Sequence, residues 1–196
     1  MSEPPPMSES RDDAPPSAGE IVEALLFATD EPLTARGLAA LVGDATPAVI
    51  EDVIAALNAD YLRERRAFRI EPVAGGYQIV TRSAFAPWVR RLRASPPTPR
   101  LSQAALETLA IVAYKQPVSR AELEAIRGVS VDGVLRTLVE RELVTIAGRG
   151  EGLGRPLLYG TTAHFLEYFG LTGLDALPRP EELEILFADR EREGEA

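Results

Sequence analysis

An internal repeat constrains this chain more than any other feature of its sequence. Two prolines, Pro32 and Pro117, lie 85 residues apart, and each separates an apolar helical pattern from a second helical pattern that follows at once. Proline lacks an amide hydrogen and disfavours helical geometry in the residue before it, so each proline marks a sharp turn between helices. The segment Leu106–Arg120 (LETLAIVAYKQPVSR) carries the clearer copy. The repeat predicts two copies of one small fold.

Residues on both sides of the two prolines agree with this duplication. Thr34 and Ser119 are helix caps at the same offset, and Gly43 and Gly128 are terminators. Apolar positions also coincide, in the pairs Ile21 with Leu106, Leu26 with Ile111, Leu38 with Leu123, Leu41 with Ile126, and Ile50 with Leu135. Helical spacing further predicts one buried stripe in the second copy, formed by Leu106, Leu109, Ala110, Ala113 and Tyr114.

Each copy reads as three helices followed by a β-hairpin. The expected elements of the first copy are helices at 20–28, 35–42 and 47–65, strands at 68–72 and 77–81 around the turn Gly75–Gly76, and a short helix at 87–92. Those of the second are helices at 101–114, 119–127 and 130–141, strands at 143–147 and 157–159, and a last helix through Phe169. Three helices and a hairpin make the winged form of the helix-turn-helix. The predicted fold class is therefore α+β and mainly helical, with tandem winged-helix domains.

Composition places the boundaries of these domains. We expect a disordered acidic and proline-rich tail at 1–19, an N-terminal winged-helix domain at 20–94, a proline-rich linker at 95–100, a C-terminal winged-helix domain at 101–171, and an acidic tail at 172–196. The linker contains SPPTP, which is too rich in proline for regular structure.

The absence of cysteine excludes disulfides, cysteine metal sites and thiol catalysis, and it is typical of a reducing cytoplasm. No apolar run approaches the roughly 20 residues of a membrane span. The first residues lack the basic and apolar parts of a signal peptide. We therefore expect a cytoplasmic protein with no membrane partner.

The net charge of −9 belongs mainly to the two tails, which carry −3 and −5. The part between them is almost neutral, whereas a nucleic-acid module normally has a basic face. The third helix of the first copy opens with Glu51 and Asp52, and in the second copy Asp132, Arg136, Glu140 and Arg141 cancel. Two arginine clusters are the counter-evidence, Arg63, Arg65, Arg66 and Arg69, and then Arg90, Arg91 and Arg93. They form either a basic edge or a solvated surface, so a DNA-binding transcription regulator remains the alternative.

Two motifs invite a catalytic or ligand-binding interpretation. The loop Gly148–Gly154 (GRGEGLG) resembles a phosphate loop, but strand-like residues follow it and no lysine is near, so we predict the tip of a wing. His164 is the only histidine, and it lies among aromatic residues without a nucleophile or further metal ligands. We predict no catalytic site, no metal site and no cofactor.

Aromatic residues favour protein binding instead. Tyr159, Phe165, Tyr168 and Phe169 cluster at the end of the second copy, and aromatic side chains are favoured anchors of protein interfaces.

Three segments resemble the hallmark segments of one known family, bacterial segregation and condensation protein B. They are Leu106–Arg120, Gly154–Leu171 (GRPLLYGTTAHFLEYFGL) and Glu23–Thr34 (EALLFATDEPLT), and the resemblance extends from about Glu20 to Leu171.

The resemblance implies a non-catalytic accessory subunit of the condensin-like complex of bacteria. That complex is built on a structural-maintenance-of-chromosomes (SMC) ATPase and its kleisin, segregation and condensation protein A. Members form homodimers, largely through the N-terminal domain, and bind the central segment of the kleisin. They reach the ATPase through the kleisin and DNA indirectly or weakly, in the cytoplasm at the nucleoid. On this basis we expect kleisin contacts at Tyr114, Tyr159, Phe165 and Phe169, and a dimer face at Ile21, Leu25 and Trp88.

Overall fold

Hydroxyl side chains set the starts of helices in the computed structural model, which describes residues 15–43, 45–92, 100–151 and 154–179. Ser17, Thr34, Thr46, Ser102, Ser119 and Thr162 each accept a hydrogen bond from the backbone amide three residues further on. The first helix begins at Ala18, two residues before its predicted start, because Ser17 and Glu20 form a capping box.

The chain divides into two units. One comprises Met1–Glu71 and Tyr77–Ser83, and the other Pro72–Gly76 and Ala84–Ala196. Each unit has a hydrophobic core of its own. Residues 1–14, 93–99 and 180–196, which hold most of the predicted tails and linker, lie outside the described residues. The predicted boundaries of the domains stay predictions.

The first unit packs three helices against strands. Its elements are α1 (Ala18–Ala28), α2 (Ala35–Val42) and α3 (Pro47–Arg63), followed by the hairpin β1 (Phe68–Val73) and β2 (Gly76–Thr81). The tip of this hairpin, Pro72–Gly76, is grouped with the second unit. The core consists of Val22, Leu26, Leu38, Ala39, Ile50, Ile54, Tyr61 and Ile70. The hairpin turns at Ala74 and Gly75, both with positive φ, one residue earlier than predicted. Two successive positive φ angles match the twist of the flanking strands.

The second unit contains α4 (Ala86–Leu92), α5 (Gln103–Lys115), β3 (Val118–Ser119), α6 (Arg120–Arg127), α7 (Asp132–Glu140), β4 (Val144–Arg149), β5 (Leu157–Thr161) and α8 (Ala163–Phe169). Its antiparallel sheet has the order β3-β5-β4, with Val118 opposite Tyr159 and Val144 opposite Thr161. Strand β3 was not predicted, because two residues are too few to show alternation.

The two units repeat one topology, so the predicted class of tandem winged-helix domains is confirmed. Leu33 bridges Tyr77 in the first unit as Val118 pairs with Tyr159 in the second. One detail of the repeat was wrong. In α1 and α5 the buried positions correspond at an offset of 86 residues, as Leu26 and Val112 do, and not at the predicted 85. The first copy therefore has one more residue than the second between this helix and the buried leucine of the next helix, Leu38 or Leu123.

The predicted buried stripe of α5 was wrong for three of its five residues. Leu106 and Tyr114 are about two-fifths exposed, at 41% and 42%, and Ala110 is exposed as well. The buried face is Ala105, Thr108, Leu109, Val112 and Ala113. Helix α5 is apolar around most of its circumference, so helical periodicity fits two faces equally. The second apolar face lies at the surface.

Candidate protein-interaction site

The exposed apolar face of α5 forms one wall of a groove in the second unit, which we call the α5–α8 groove. It has a volume of about 350 Å³. The lining is apolar apart from one hydroxyl, and consists of Leu106, Leu109, Ala110, Ala113, Tyr114, Phe165, Phe169, Leu171, Leu177 and Pro178. A concave apolar surface with a single polar group is suited to receive apolar side chains of a ligand or partner.

Helix α8 supplies the aromatic side of the groove. Thr162 caps the helix by accepting a hydrogen bond from the amide of Phe165, at 3.1 Å. Phe165 is 3% exposed and forms the floor, and its ring centroid lies 5.0 Å from that of Phe169. Phe169 also contacts Tyr168, at 5.1 Å between centroids, and keeps 44% of its surface exposed. The groove therefore offers an aromatic edge that its own unit does not cover.

The segment after α8 closes one end of this groove. Leu171 and Leu177 are half-buried against the core, and the Tyr114 hydroxyl donates a hydrogen bond of 2.6 Å to the carbonyl oxygen of Pro178. This wall was not predicted, because residues from 172 onward were expected to form an acidic tail. The usable signal was the apolar spacing of Leu171, Leu174 and Leu177.

Tyr159 lies in a different groove of the same unit, which we call the α7–wing groove. Its volume is about 560 Å³. The lining is Arg120, Ala121, Asp132, Leu135, Arg136, Val139, Glu140, Ile146, Pro156, Leu157 and Tyr159. An ion pair joins Arg120 Nη1 to Asp132 Oδ1 at 2.6 Å within this lining. The structure thus brings three of the four predicted kleisin-contact residues together and separates Tyr159 from them.

The predicted dimer-face residues fall on two helices. Ile21 and Leu25 are half-buried on α1, with Leu25 packed against the first core. Trp88 is 62% exposed on α4, and its ring lies 6.5 Å from that of Phe85. Three further apolar side chains are exposed that were not predicted to be so, Phe27 at 75%, Phe85 at 38% and Leu92 at 86%. For two of them a signal existed, since Phe85, Trp88 and Leu92 recur at the spacing of one helical face.

The first arginine cluster is largely neutralised within its own unit. Arg63 pairs with Asp60 at 2.7 Å, Arg66 pairs with Glu64 at 2.8 Å, and Arg69 pairs with Glu71. Arg93 of the second cluster lies outside the described residues. Paired arginines offer little net charge to a phosphate backbone, whose binding depends on it.

The structure shows the surroundings of the two motifs with a possible catalytic role, the glycine-rich loop after β4 and His164. The loop after β4 leads into strand β5, not into a helix, and the amide of Gly150 donates to the carbonyl of Pro156 at 2.8 Å. Its residues 152 and 153 lie outside the described ones. His164 is half-exposed, and its Nδ1 lies 3.8 Å from Glu167 Oε2.

The described residues offer no metal-ion site and no membrane-spanning helix. They contain no group of three side chains placed to hold a metal ion. Within the same ranges, every helix is too short or too polar to cross a membrane.

Comparison with known proteins gives one consistent result. The family model for "Segregation and condensation complex subunit ScpB" matches residues 20–180. Segregation and condensation protein B of Syntrophotalea carbinolica is 49% identical over 171 residues, which are 87% of this chain and 86% of that protein. The protein of the same name from Moorella thermoacetica is 50% identical over 175 residues, covering 89% and 87%.

A solved structure, that of ScpB from Mycobacterium tuberculosis, is 37% identical and covers 81% of this chain and 100% of its own, with a TM-score of 0.38. The family match covers most of the sequence, and the segments that carry the resemblance lie inside it. The chain therefore belongs to the family of the segregation and condensation complex subunit ScpB.

Proposed function

We propose that this chain is a non-catalytic accessory subunit of the bacterial SMC–kleisin condensin complex. It acts in chromosome condensation and segregation by binding the kleisin as a homodimer, in the cytoplasm at the nucleoid. The chain's membership of the ScpB family supports this function. The three sequence segments that resemble this family imply the kleisin as the partner. ATP hydrolysis belongs to the SMC partner, which this chain reaches through the kleisin.

One observation carries the choice of the kleisin site. The α5–α8 groove leaves Leu106, Tyr114 and Phe169 each more than two-fifths exposed around a buried Phe165. Well-packed aromatic side chains at the centre of an interface dominate binding energy. A kleisin segment that inserts apolar side chains between α5 and α8 buries this surface. Tyr159, in the α7–wing groove, is a second point of contact for the same extended segment.

The homodimer uses exposed apolar residues as well. Phe85, just before α4, and Trp88 and Leu92 on α4 are exposed apolar side chains, and on α1 Ile21 and Leu25 are only half-buried. Aromatic residues are enriched in interfaces relative to the rest of a protein surface. We assign Ile21, Leu25 and Trp88 to the dimer face.

A binding titration tests the kleisin site. The probe is a fluorescent peptide of the central kleisin segment, and anisotropy measures its affinity for the full chain. Phe169→Ala should weaken binding about tenfold, as expected for a residue of a binding hot spot. Ile126→Ala is the matched control, because Ile126 is 54% exposed in the same unit and lines neither groove. Unchanged affinity of Phe169→Ala, with intact circular dichroism, contradicts the assignment of the groove.

Light scattering coupled to gel filtration tests the dimer. Trp88→Asp places a charge on the proposed interface, so it should convert the dimer into a monomer at micromolar concentration. Val129→Asp is the control, since Val129 is a similarly exposed apolar residue at 56%. A Trp88→Asp variant that remains dimeric removes Trp88 from the interface.

A further inference from the structure

The α5–α8 groove is partly filled by the segment that leaves α8. Leu177 is half-buried against the core of the second unit, and Pro178 accepts the hydrogen bond of the Tyr114 hydroxyl at 2.6 Å. Both residues line the groove. The hydrogen bond between Tyr114 and Pro178 therefore holds the chain against the groove just before residue 180.

The open part of the groove remains apolar beyond this contact. Leu106 is 41% exposed and Phe169 is 44% exposed. Ala110, one turn after Leu106 on α5, is exposed as well. Contiguous exposed apolar surface marks an interaction site. Pro178 lines the groove one residue before the described range ends at Arg179, so the nearest candidate for covering the exposed surface is the sequence that continues from Arg179.

That sequence has the chemistry to cover the groove. Residues 180–196 read PEELEILFADREREGEA, in which four apolar residues, Leu183, Ile185, Leu186 and Phe187, stand among carboxylates. Leu183, Leu186 and Phe187 recur three and four positions apart, a spacing that in a helix puts them on one side, whereas Ile185 falls on the other. A chain spans at most about 3.3–3.6 Å per residue, so the few residues after Pro178 are enough to reach neighbouring groove residues.

We propose that the segment Glu182–Phe187 of the same chain binds in the α5–α8 groove, with Leu183, Leu186 and Phe187 against Leu106, Ala110 and Phe169. Because the segment is tethered, its effective concentration at the groove is on the order of millimolar, so weak intrinsic affinity suffices. The consequence for the partner rests on the proposed function. The segment competes with the kleisin for the groove, and kleisin binding displaces it.

A nitroxide label tests the docking without any kleisin. The chain has no cysteine, so Ala188→Cys gives a single labelling site. In the ¹⁵N-labelled full chain, the label should broaden the amide signals of Leu106, Ala110 and Phe169 beyond detection. Adding Leu186→Asp should restore those signals, whereas Ala196→Asp, which adds the same charge at the far end, should not. Signals that stay sharp in the labelled protein overturn the proposal.

Mixing separates the chain's own segment from that of a second copy. The ¹⁵N-labelled protein without a nitroxide is mixed with an excess of nitroxide-labelled protein at natural isotope abundance. The amide signals of the groove residues should then remain sharp. Broadening in the mixture gives the groove to the segment of the other copy and overturns binding in cis.

Kleisin titrations then test the competition. Deletion of residues 180–196 should raise kleisin affinity by about threefold or more, because the tethered competitor is gone. Equal affinities of the full and shortened chains overturn the competition. If Phe169→Ala leaves kleisin binding intact while the nitroxide result holds, the kleisin assignment fails and the docking of the segment stands.

Discussion

The side chain of Gln116 binds the backbone amide and the hydroxyl of Thr161, which is 45 residues away in the sequence. The Gln116 Oε1 atom accepts a hydrogen bond of 2.7 Å from the backbone amide of Thr161, and the Nε2 atom donates one of 3.0 Å to the Thr161 hydroxyl. Gln116 is the cap at the end of α5, and Thr161 is the last residue of β5. The amide group therefore joins the end of the groove-forming helix to the strand that leads into α8.

Gln116→Ala should destabilise the second unit by about 1–3 kcal/mol, because the half-buried amide of Thr161 loses its partner. Urea unfolding followed by circular dichroism measures the change. Gln103→Ala is the control, since Gln103 lies exposed on the same helix and, among the described residues, its side chain bonds to Glu107 alone. We expect that control to stay within about 0.5 kcal/mol of the wild type. Equal effects of the two substitutions would contradict a structural role for the Gln116–Thr161 contact.

Gly160 lies beside the same contact and leaves no room for a side chain. A Cβ atom at this position would stand 2.9 Å from Gln116 Oε1 and 3.2 Å from Ala147 Cβ. Gly160→Ala should therefore cost about 1–3 kcal/mol, as for overpacking of a tight site.

The same substitution should cost less in a Gln116→Ala background, because the closest clashing atom is absent there. Urea unfolding of the four variants forms a double-mutant cycle, in which contacting residues couple by about 0.5–3 kcal/mol. Strict additivity would show that Gln116 is not the group that excludes a side chain at Gly160.

Features fixed by neighbouring residues were predictable from the sequence. Ser119 and Glu122 were predicted to cap α6 and do so, and Gly128 ends that helix with a φ of 70°. These features depend on backbone groups within one turn, so the local sequence contains all the information they need. The repetition of such local features made the tandem fold predictable.

Features that depend on packing across the fold were not predictable. The sequence of α5 offers two apolar faces, and the packing of α6, α7 and β5 against the helix decides that Val112 is buried while Leu106 is exposed. The separation of Tyr159 from Tyr114 has the same origin, since the two residues line different grooves of one unit. A candidate site assembled from aromatic residues in sequence order therefore joined two grooves.

The capping box of α6 should make the stability of the second unit depend on pH. The hydroxyl and the amide of Ser119 both donate to Glu122, at 2.7 and 2.8 Å, and they hold the pKa of that carboxyl below its ordinary value of 4.5. A carboxyl whose pKa is lowered by folding stabilises the fold above its unfolded pKa. That contribution is lost as the pH falls through the folded-state pKa.

Glu122→Gln should therefore lower stability near neutral pH and flatten the fall in stability below pH 4.5. Ser119→Ala, which removes the hydroxyl donor, should flatten the same window and cost about 1 kcal/mol at neutral pH, as typical for the loss of a helix cap. Urea midpoints between neutral pH and the acid limb measure both. A Glu122→Gln variant with the full acid dependence of the wild type would place the responsible carboxyl elsewhere.

Tyr61 should not ionise while the first unit is folded. Its side chain is 6% exposed, and its hydroxyl donates to Glu23 Oε1 at 2.8 Å. Burial first, and the Glu23 carboxylate second, raise the pKa of Tyr61 well above its usual value of 10. Because folding raises the pKa of this phenol, its stabilising contribution is complete below pH 10 and is lost as the pH rises further.

Absorbance at the tyrosinate band measures this behaviour. The wild type has five tyrosines and the Tyr61→Phe variant has four. As long as circular dichroism remains native, the tyrosinate absorbance of both proteins should nevertheless increase equally with pH. At neutral pH the substitution should cost about 1 kcal/mol, because the bond to Glu23 is lost. Tyr168→Phe is the stability control, since Tyr168 is 56% exposed and surface changes stay within about 0.5 kcal/mol. A larger absorbance rise in the folded wild type than in Tyr61→Phe would mean that the phenol ionises inside the folded unit.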